Sequence, residues 1–191
     1  MFAAASLTEA FTEIEQAFEQ ANPDADVQFN FAASSTLAQQ INQGAPADVF
    51  ASASPKQMQD VVDAGAAGDP TVFVANLLQI AVPAGNPAGV TDLAAFGKPE
   101  LAIALCAEQV PCGSAARKAL DAAGVTAKPD TLEQDVKAVL TKVRLGEVDA
   151  ALVYRTDVLA AGDDVEGIAF PEAGKAVNDY PIAPLAKAPN P

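Results

Sequence analysis

The sequence predicts an α/β fold of two lobes, each a mostly parallel sheet flanked by helices. Strand-like and helix-like apolar periodicities alternate along the chain, and after Pro83 the alternation starts a second time. At 191 residues, 50% of them hydrophobic, the chain can bury a real core, and its length suits one large domain or two small lobes.

Phe11, Ile14 and Phe18 recur at helical spacing among Glu9, Glu13, Glu15 and Glu19, which predicts an amphipathic helix over residues 7–21. Ser6 stands at its start with Glu9 at capping-box spacing, and Asn22-Pro23 ends it. Residues 27–31 alternate as a strand does, and Ala32-Ala33-Ser34-Ser35 leads from them into a short helix over 36–43, stopped by Gly44. Residues 48–51 form a short strand, 55–64 a helix opened by proline, and 72–82 one or two buried strands. The second series runs strand 101–105, helix 114–123, helix 132–145 and strand 150–154. Residues 166–170 and 180–185 are later strands, and the proline-rich end over 184–191 carries no periodic signal.

Composition closes off several functions. Twenty-five acidic residues against 11 basic ones give a formal charge of −14, which repels nucleic acid and anionic membrane surfaces. That field is screened within about 8–10 Å at physiological salt, so local dipoles can still hold a small anion. The chain has no histidine, which removes Ser-His-Asp and Cys-His nucleophilic sites and the commonest metal ligand. The longest apolar stretch, 72–82, is interrupted by Asn76 and Gln79 and falls short of the roughly 18 residues a membrane span needs. Met1-Phe-Ala-Ala-Ala-Ser has neither the charged nor the apolar region of an export signal.

A strand that ends in serine and feeds directly into a helix aims a hydroxyl and the first helical N–H groups at one point beyond the sheet edge, where an anion is favoured. The chain does this at Ser6 and again at Ser34-Ser35. By spacing alone the favoured reading is that each serine only caps its helix. Val136 can pack with Val139, Leu140 and Val143, and Tyr154 can be a core tyrosine.

The residues around these positions carry a resemblance. Phe2-Ala-Ala-Ala-Ser-Leu7, Phe31-Ala-Ala-Ser-Ser-Thr-Leu-Ala38 and Gln43-Gly-Ala-Pro-Ala-Asp-Val-Phe-Ala-Ser52 closely resemble motifs of the periplasmic molybdate-binding proteins. Val110-Pro-Cys-Gly113, Gln134-Asp-Val-Lys137, Leu152-Val-Tyr154 and Asp179-Tyr-Pro-Ile182 follow in that family's order, so the resemblance spans almost the whole chain. It implies the two-lobed periplasmic-binding-protein fold (type II) with the ligand in the cleft, lobe 1 from residues 1–77 and 180–191 and lobe 2 from 78–179. Closure is expected about the strands near 77–80 and 179–182. Family chains are longer before the first motif and after the Tyr-Pro strand, so a trimmed or abbreviated lobe 1 is expected.

Carried over residue by residue, the resemblance makes Ser6 and Ser34 donors of hydroxyl and backbone N–H. Cys112 and Val136 become backbone N–H donors and Tyr154 a phenol donor. A donor-only set suits molybdate, tungstate or sulfate, which carry no proton at neutral pH, and rejects hydrogen phosphate, whose O–H would find no acceptor. The implied protein is an extracytoplasmic receptor, periplasmic or lipid-anchored, and monomeric. It has no catalytic residue, no cofactor and no metal other than that of the oxyanion, and its partner is the membrane permease of an ABC importer. In an exported protein the even cysteine count suggests a Cys106–Cys112 disulfide, against two free thiols or a poor metal site. The rivals are the same fold binding sulfate or another tetrahedral oxyanion, an enzyme built on Asp48, Asp135 or Asp157, and a sensory ligand-binding domain.

Overall fold

In the computed structural model, which describes residues 1–190, the chain forms two units, Met1–Val74 with Asp179–Pro191 and Ala75–Asn178. Pro191, at the end of the expected lobe 1 and of the proline-rich tail, lies outside the described residues.

In the first unit, β1 (Phe2–Ala4) pairs in parallel with β2 (Asn30–Ala32) on one side and β3 (Val49–Ala51) on the other. Each strand leads into a helix: α1 (Thr8–Ala21), α2 (Ser34–Asn42) and α3 (Pro55–Asp63). The five-stranded sheet is completed by β10 (Asn178–Pro184), antiparallel to β3, and by β4 (Thr71–Asn76), in the order β2-β1-β3-β10-β4. Successive strand side chains point to opposite faces. Phe50 therefore joins Leu37, Ile41, Met58 and Val61 of α2 and α3, whereas Ala51 joins Leu7, Phe11 and Tyr180. Each fully buried large side chain contributes about 1.5–3 kcal/mol.

The second unit holds β5 (Leu78–Pro83), β6 (Ile103–Cys106), β7 (Thr131–Glu133), β8 (Ala150–Tyr154) and β9 (Val165–Ile168), in the sheet order β7-β6-β8-β5-β9. β6 is parallel to both β7 and β8, and β5 is antiparallel to β8 and β9. Around this sheet run α4 (Pro111–Ala123), α5 (Val136–Arg144) and α6 (Arg155–Ala161). Gly124, with φ +67°, supplies the left-handed residue that ends α4. Gly113 has no room for a side chain, because a Cβ there would lie 2.0 Å from the Ala107 carbonyl oxygen.

Three local expectations need correction. Residues 72–82 are not all buried: β5 is core, but β4 is an exposed edge strand with Val72 57% accessible. The apolar run alone could not distinguish these, because an edge strand has only one neighbour to cover it. Residues 132–145 are not one helix, because 131–133 form β7 and α5 starts only after Asp135, whose Oδ1 accepts the Ala138 N–H at 2.9 Å. Ser6 does not cap α1, since the cap position is Leu7 and the Ser6 hydroxyl is bonded elsewhere. Among the described residues no helix is long and apolar enough to cross a membrane.

Candidate functional site

Register places the two serines alike. Ala4 of β1 is paired with Ala32 of β2, so Ser6 and Ser34 each stand two residues past a paired position, at the carboxyl ends of adjacent parallel strands. Both are buried, Ser34 at 1% exposure. Ser34 opens α2, and the first intrahelical bond runs from the Leu37 N–H to the Ala33 carbonyl. The Ser34 and Ser35 N–H groups precede that bond, in the turn where a helix offers unsatisfied donors. The Ala53 N–H, just past β3, donates to Ser34 Oγ at 2.9 Å. A hydroxyl oxygen that accepts from the backbone keeps its proton to donate. Ser6 Oγ lies 2.9 Å from the Tyr180 hydroxyl, a residue 174 positions away, and either oxygen can be the donor.

The second unit repeats the arrangement at the carboxyl ends of β6, β7 and β8. Cys106 pairs with Glu133 and Ala104 with Ala151, so the segments leading to Cys112, Val136 and Tyr154 leave the sheet on the same side. Cys112 lies in the first turn of α4, whose first helical bond runs from the Ser114 N–H to the Val110 carbonyl. It is disulfide-bonded to Cys106 at the end of β6, which ties the helix start to the strand. Gly113 presses this same turn onto the backbone of Cys106 and Ala107. Val136 is the first residue of α5, ahead of the bond from the Val139 N–H to the Asp135 carbonyl. Tyr154 ends β8, is 1% exposed, and its phenol oxygen lies 2.5 Å from Asn178 Nδ2. The structure thus gathers Ser6 and Ser34 at one sheet edge of the first unit, and Cys112, Val136 and Tyr154 at one sheet edge of the second.

The charges here are structural. Asp157, 0% exposed, accepts the Tyr154 N–H at 3.0 Å and pairs with Lys137 Nζ at 2.9 Å, linking the first turn of α6 to that of α5. Asp48 accepts the Asn190 N–H at 2.7 Å and Asp135 caps α5. These bonds account for the acids that an enzymatic reading would use, and among the described residues no cluster of His, Cys, Asp and Glu could hold a metal. Two basic groups in ion pairs are shifted upward from their ordinary values. The hydrogen bond to Glu108 raises Arg117, and that to Glu147 raises Lys142.

Sequence reasoning missed four residues that hold these two sheet edges: Tyr180, Asn178, Lys137 as a partner of Asp157, and Ala53 as a backbone donor. Tyr180 and Lys137 sit inside quoted motifs, which was the available signal. Asn178 and the Ala53 amide have none, because their partners come from distant strands.

Over residues 1–191 the chain matches the family model of the bacterial extracellular solute-binding proteins. It is 46% identical over 192 residues to the molybdate-binding protein ModA of Mycobacterium tuberculosis (strain ATCC 25618 / H37Rv), covering 100% of this chain and 74% of that protein. Its structure is similar to the Azotobacter vinelandii periplasmic molybdate-binding protein, with TM-score 0.84 and 18% identity over 99% of this chain and 86% of that one. The sulfate-binding protein SubI from Mycobacterium tuberculosis H37Rv is also similar, with TM-score 0.81 and 17% identity over 98% and 75% of the two chains. At these identities the likeness between structures is one of fold.

Proposed function

We propose, for a chain that belongs to the bacterial extracellular solute-binding protein family, that it captures molybdate outside the cytoplasm and delivers it to the permease of an ABC importer. The observation that carries this reading is the 46% identity, over the whole chain, to a molybdate-binding protein.

The chemistry of the half-sites supports it. Ser6, Ser34 and Tyr154 would give hydroxyl protons, and Ser34, Cys112 and Val136 would give N–H groups from first helical turns. Such donors bind a fully deprotonated dianion without a formal counter-charge, because the N-terminal ends of helices favour negative charge. Hydrogen phosphate brings an O–H that N–H groups cannot accept, and leaving it unpaired in a buried site costs about 1–3 kcal/mol. Tungstate, close to molybdate in size and charge, is taken as a second ligand. Sulfate presents the same acceptors on a smaller tetrahedron, so a rigid donor set spaced for molybdate leaves its bonds long.

In operation, the protein acts as a monomer, and the binding of one dianion by these donors is coupled to closure. The ligand's contacts to the closed state supply the bias, since only differential affinity shifts such an equilibrium. No bond is made or broken in this cycle. The lobes proposed are residues 1–77 with 180–191 and residues 78–179.

The likeness to a sulfate-binding protein motivates the second reading, the same fold with sulfate as cargo. Calorimetric titration with molybdate, tungstate, sulfate and phosphate separates the two. Tight binding of molybdate and tungstate with weak sulfate binding is expected. Sulfate binding as tight as molybdate would reassign the ligand, and no heat with any oxyanion would remove the receptor reading.

A further inference from the structure

Asn178 is the last residue of the second unit and is 7% exposed. Its Nδ2 lies 2.5 Å from the Tyr154 phenol oxygen and 3.5 Å from the Pro111 carbonyl oxygen. The carbonyl can only accept, so the amide is turned with its NH2 toward both groups, and the phenol oxygen receives an N–H. This sets a direction. The phenol proton cannot point at Asn178, whose own N–H would oppose it, and is held to the other side of the oxygen. The first unit shows the same device at Ser34, whose oxygen accepts the Ala53 N–H.

We propose that Asn178 is a positioning and specificity-determining residue: by donating into the Tyr154 phenol oxygen it commits that phenol to donate to the bound oxyanion. Through the Pro111 carbonyl it also joins Tyr154 to the turn that carries Cys112. The inference rests on the reading of Tyr154 as a ligand donor. Its chemical consequence concerns protonated ligands. A hydroxyl free to reverse can accept the O–H of hydrogen phosphate, whereas one fixed as donor meets that O–H with its own proton. Asn178 therefore contributes to discrimination between a bare dianion and a protonated one, and not only to affinity.

The test is calorimetry on the full chain with molybdate and with inorganic phosphate, using Asn178→Ala, Tyr154→Phe and the double variant, with thermal unfolding as a check on folding. Asn178→Ala is expected to weaken molybdate about tenfold, the loss of one hydrogen bond to a charged ligand, and to narrow the molybdate-to-phosphate ratio by more than that. In the Tyr154→Phe background the same substitution is expected to cost less than about twofold, because the group it acts through is gone. An equal loss in both backgrounds, or an unchanged ratio, overturns the positioning role. Unchanged molybdate affinity in Tyr154→Phe alone instead removes Tyr154 from the ligand set, and the proposal with it. If Asn178→Ala does not fold, Asn178→Leu keeps the volume without a donor and without adding a charge. It is expected to show the same collapse of its effect in the Phe background, and persistence of the effect there overturns the proposal.

Discussion

Replacing Ser34 by alanine removes one oxygen that has two tasks. Its oxygen accepts the Ala53 N–H at 2.9 Å within a site of 1% exposure, and its proton is proposed to reach the ligand. The first task concerns the empty protein. Leaving a buried N–H without an acceptor costs about 1–3 kcal/mol, so Ser34→Ala should lower the unfolding free energy of the ligand-free protein by that amount. The second concerns binding. A hydrogen bond to a charged ligand is worth about 1.5–3 kcal/mol, which is a loss of roughly 10- to 150-fold in molybdate affinity. Urea unfolding without ligand reads the first quantity and calorimetry under native conditions the second, so the two costs are measured separately. A destabilised variant that binds molybdate as tightly as the parent would show that the hydroxyl serves the loop after β3 and not the ligand. An unchanged unfolding free energy would contradict the buried bond to Ala53.

Gly113→Ala drives a Cβ to 2.0 Å from the Ala107 carbonyl oxygen and 2.7 Å from that of Cys106, both backbone atoms. The first turn of α4 must move, so the expected result is about 1–3 kcal/mol of destabilisation by urea unfolding with at least a tenfold loss of molybdate affinity. Parental affinity would mean that the Cys112 amide is not a ligand. Asp157→Ala strands the buried Tyr154 N–H and removes the ion pair from Asp157 to Lys137, whose side chain is 23% exposed and within reach of water. Its cost in urea unfolding should therefore be about 1–3 kcal/mol, below the 3–5 typical of a fully buried pair. Opening the Cys106–Cys112 bridge by a double serine substitution releases a loop of sequence separation 6, for which chain entropy gives about 2–2.5 kcal/mol. Thiol titration of the unreduced, unfolded parent should find no free cysteine, and finding two would refute the bridge.

The sequence by itself carried the α/β alternation, the recurrence of strand, serine and helix at Ser6 and Ser34, and the family, because strand periodicity, turn chemistry and motif order are local properties. It also offered, as one of two open readings of Val136, a helical face shared with Val139, Leu140 and Val143, and the structure buries all four. It misplaced the start of that helix because Leu132 stands four residues before Val136, in phase with the apolar stripe, and only Asp135 marks the true beginning. Tertiary structure decided which strand became an exposed edge, because that depends on how many neighbours a strand acquires and not on its own residues. It also decided what each hydroxyl bonds to. Ser6 meets Tyr180, Ser34 meets the Ala53 amide and Tyr154 meets Asn178, each across a chain separation that no local pattern encodes. Whether a serine or tyrosine oxygen caps its own helix or stands ready as a donor is fixed by the groups that other strands bring to it, and so only by the folded chain.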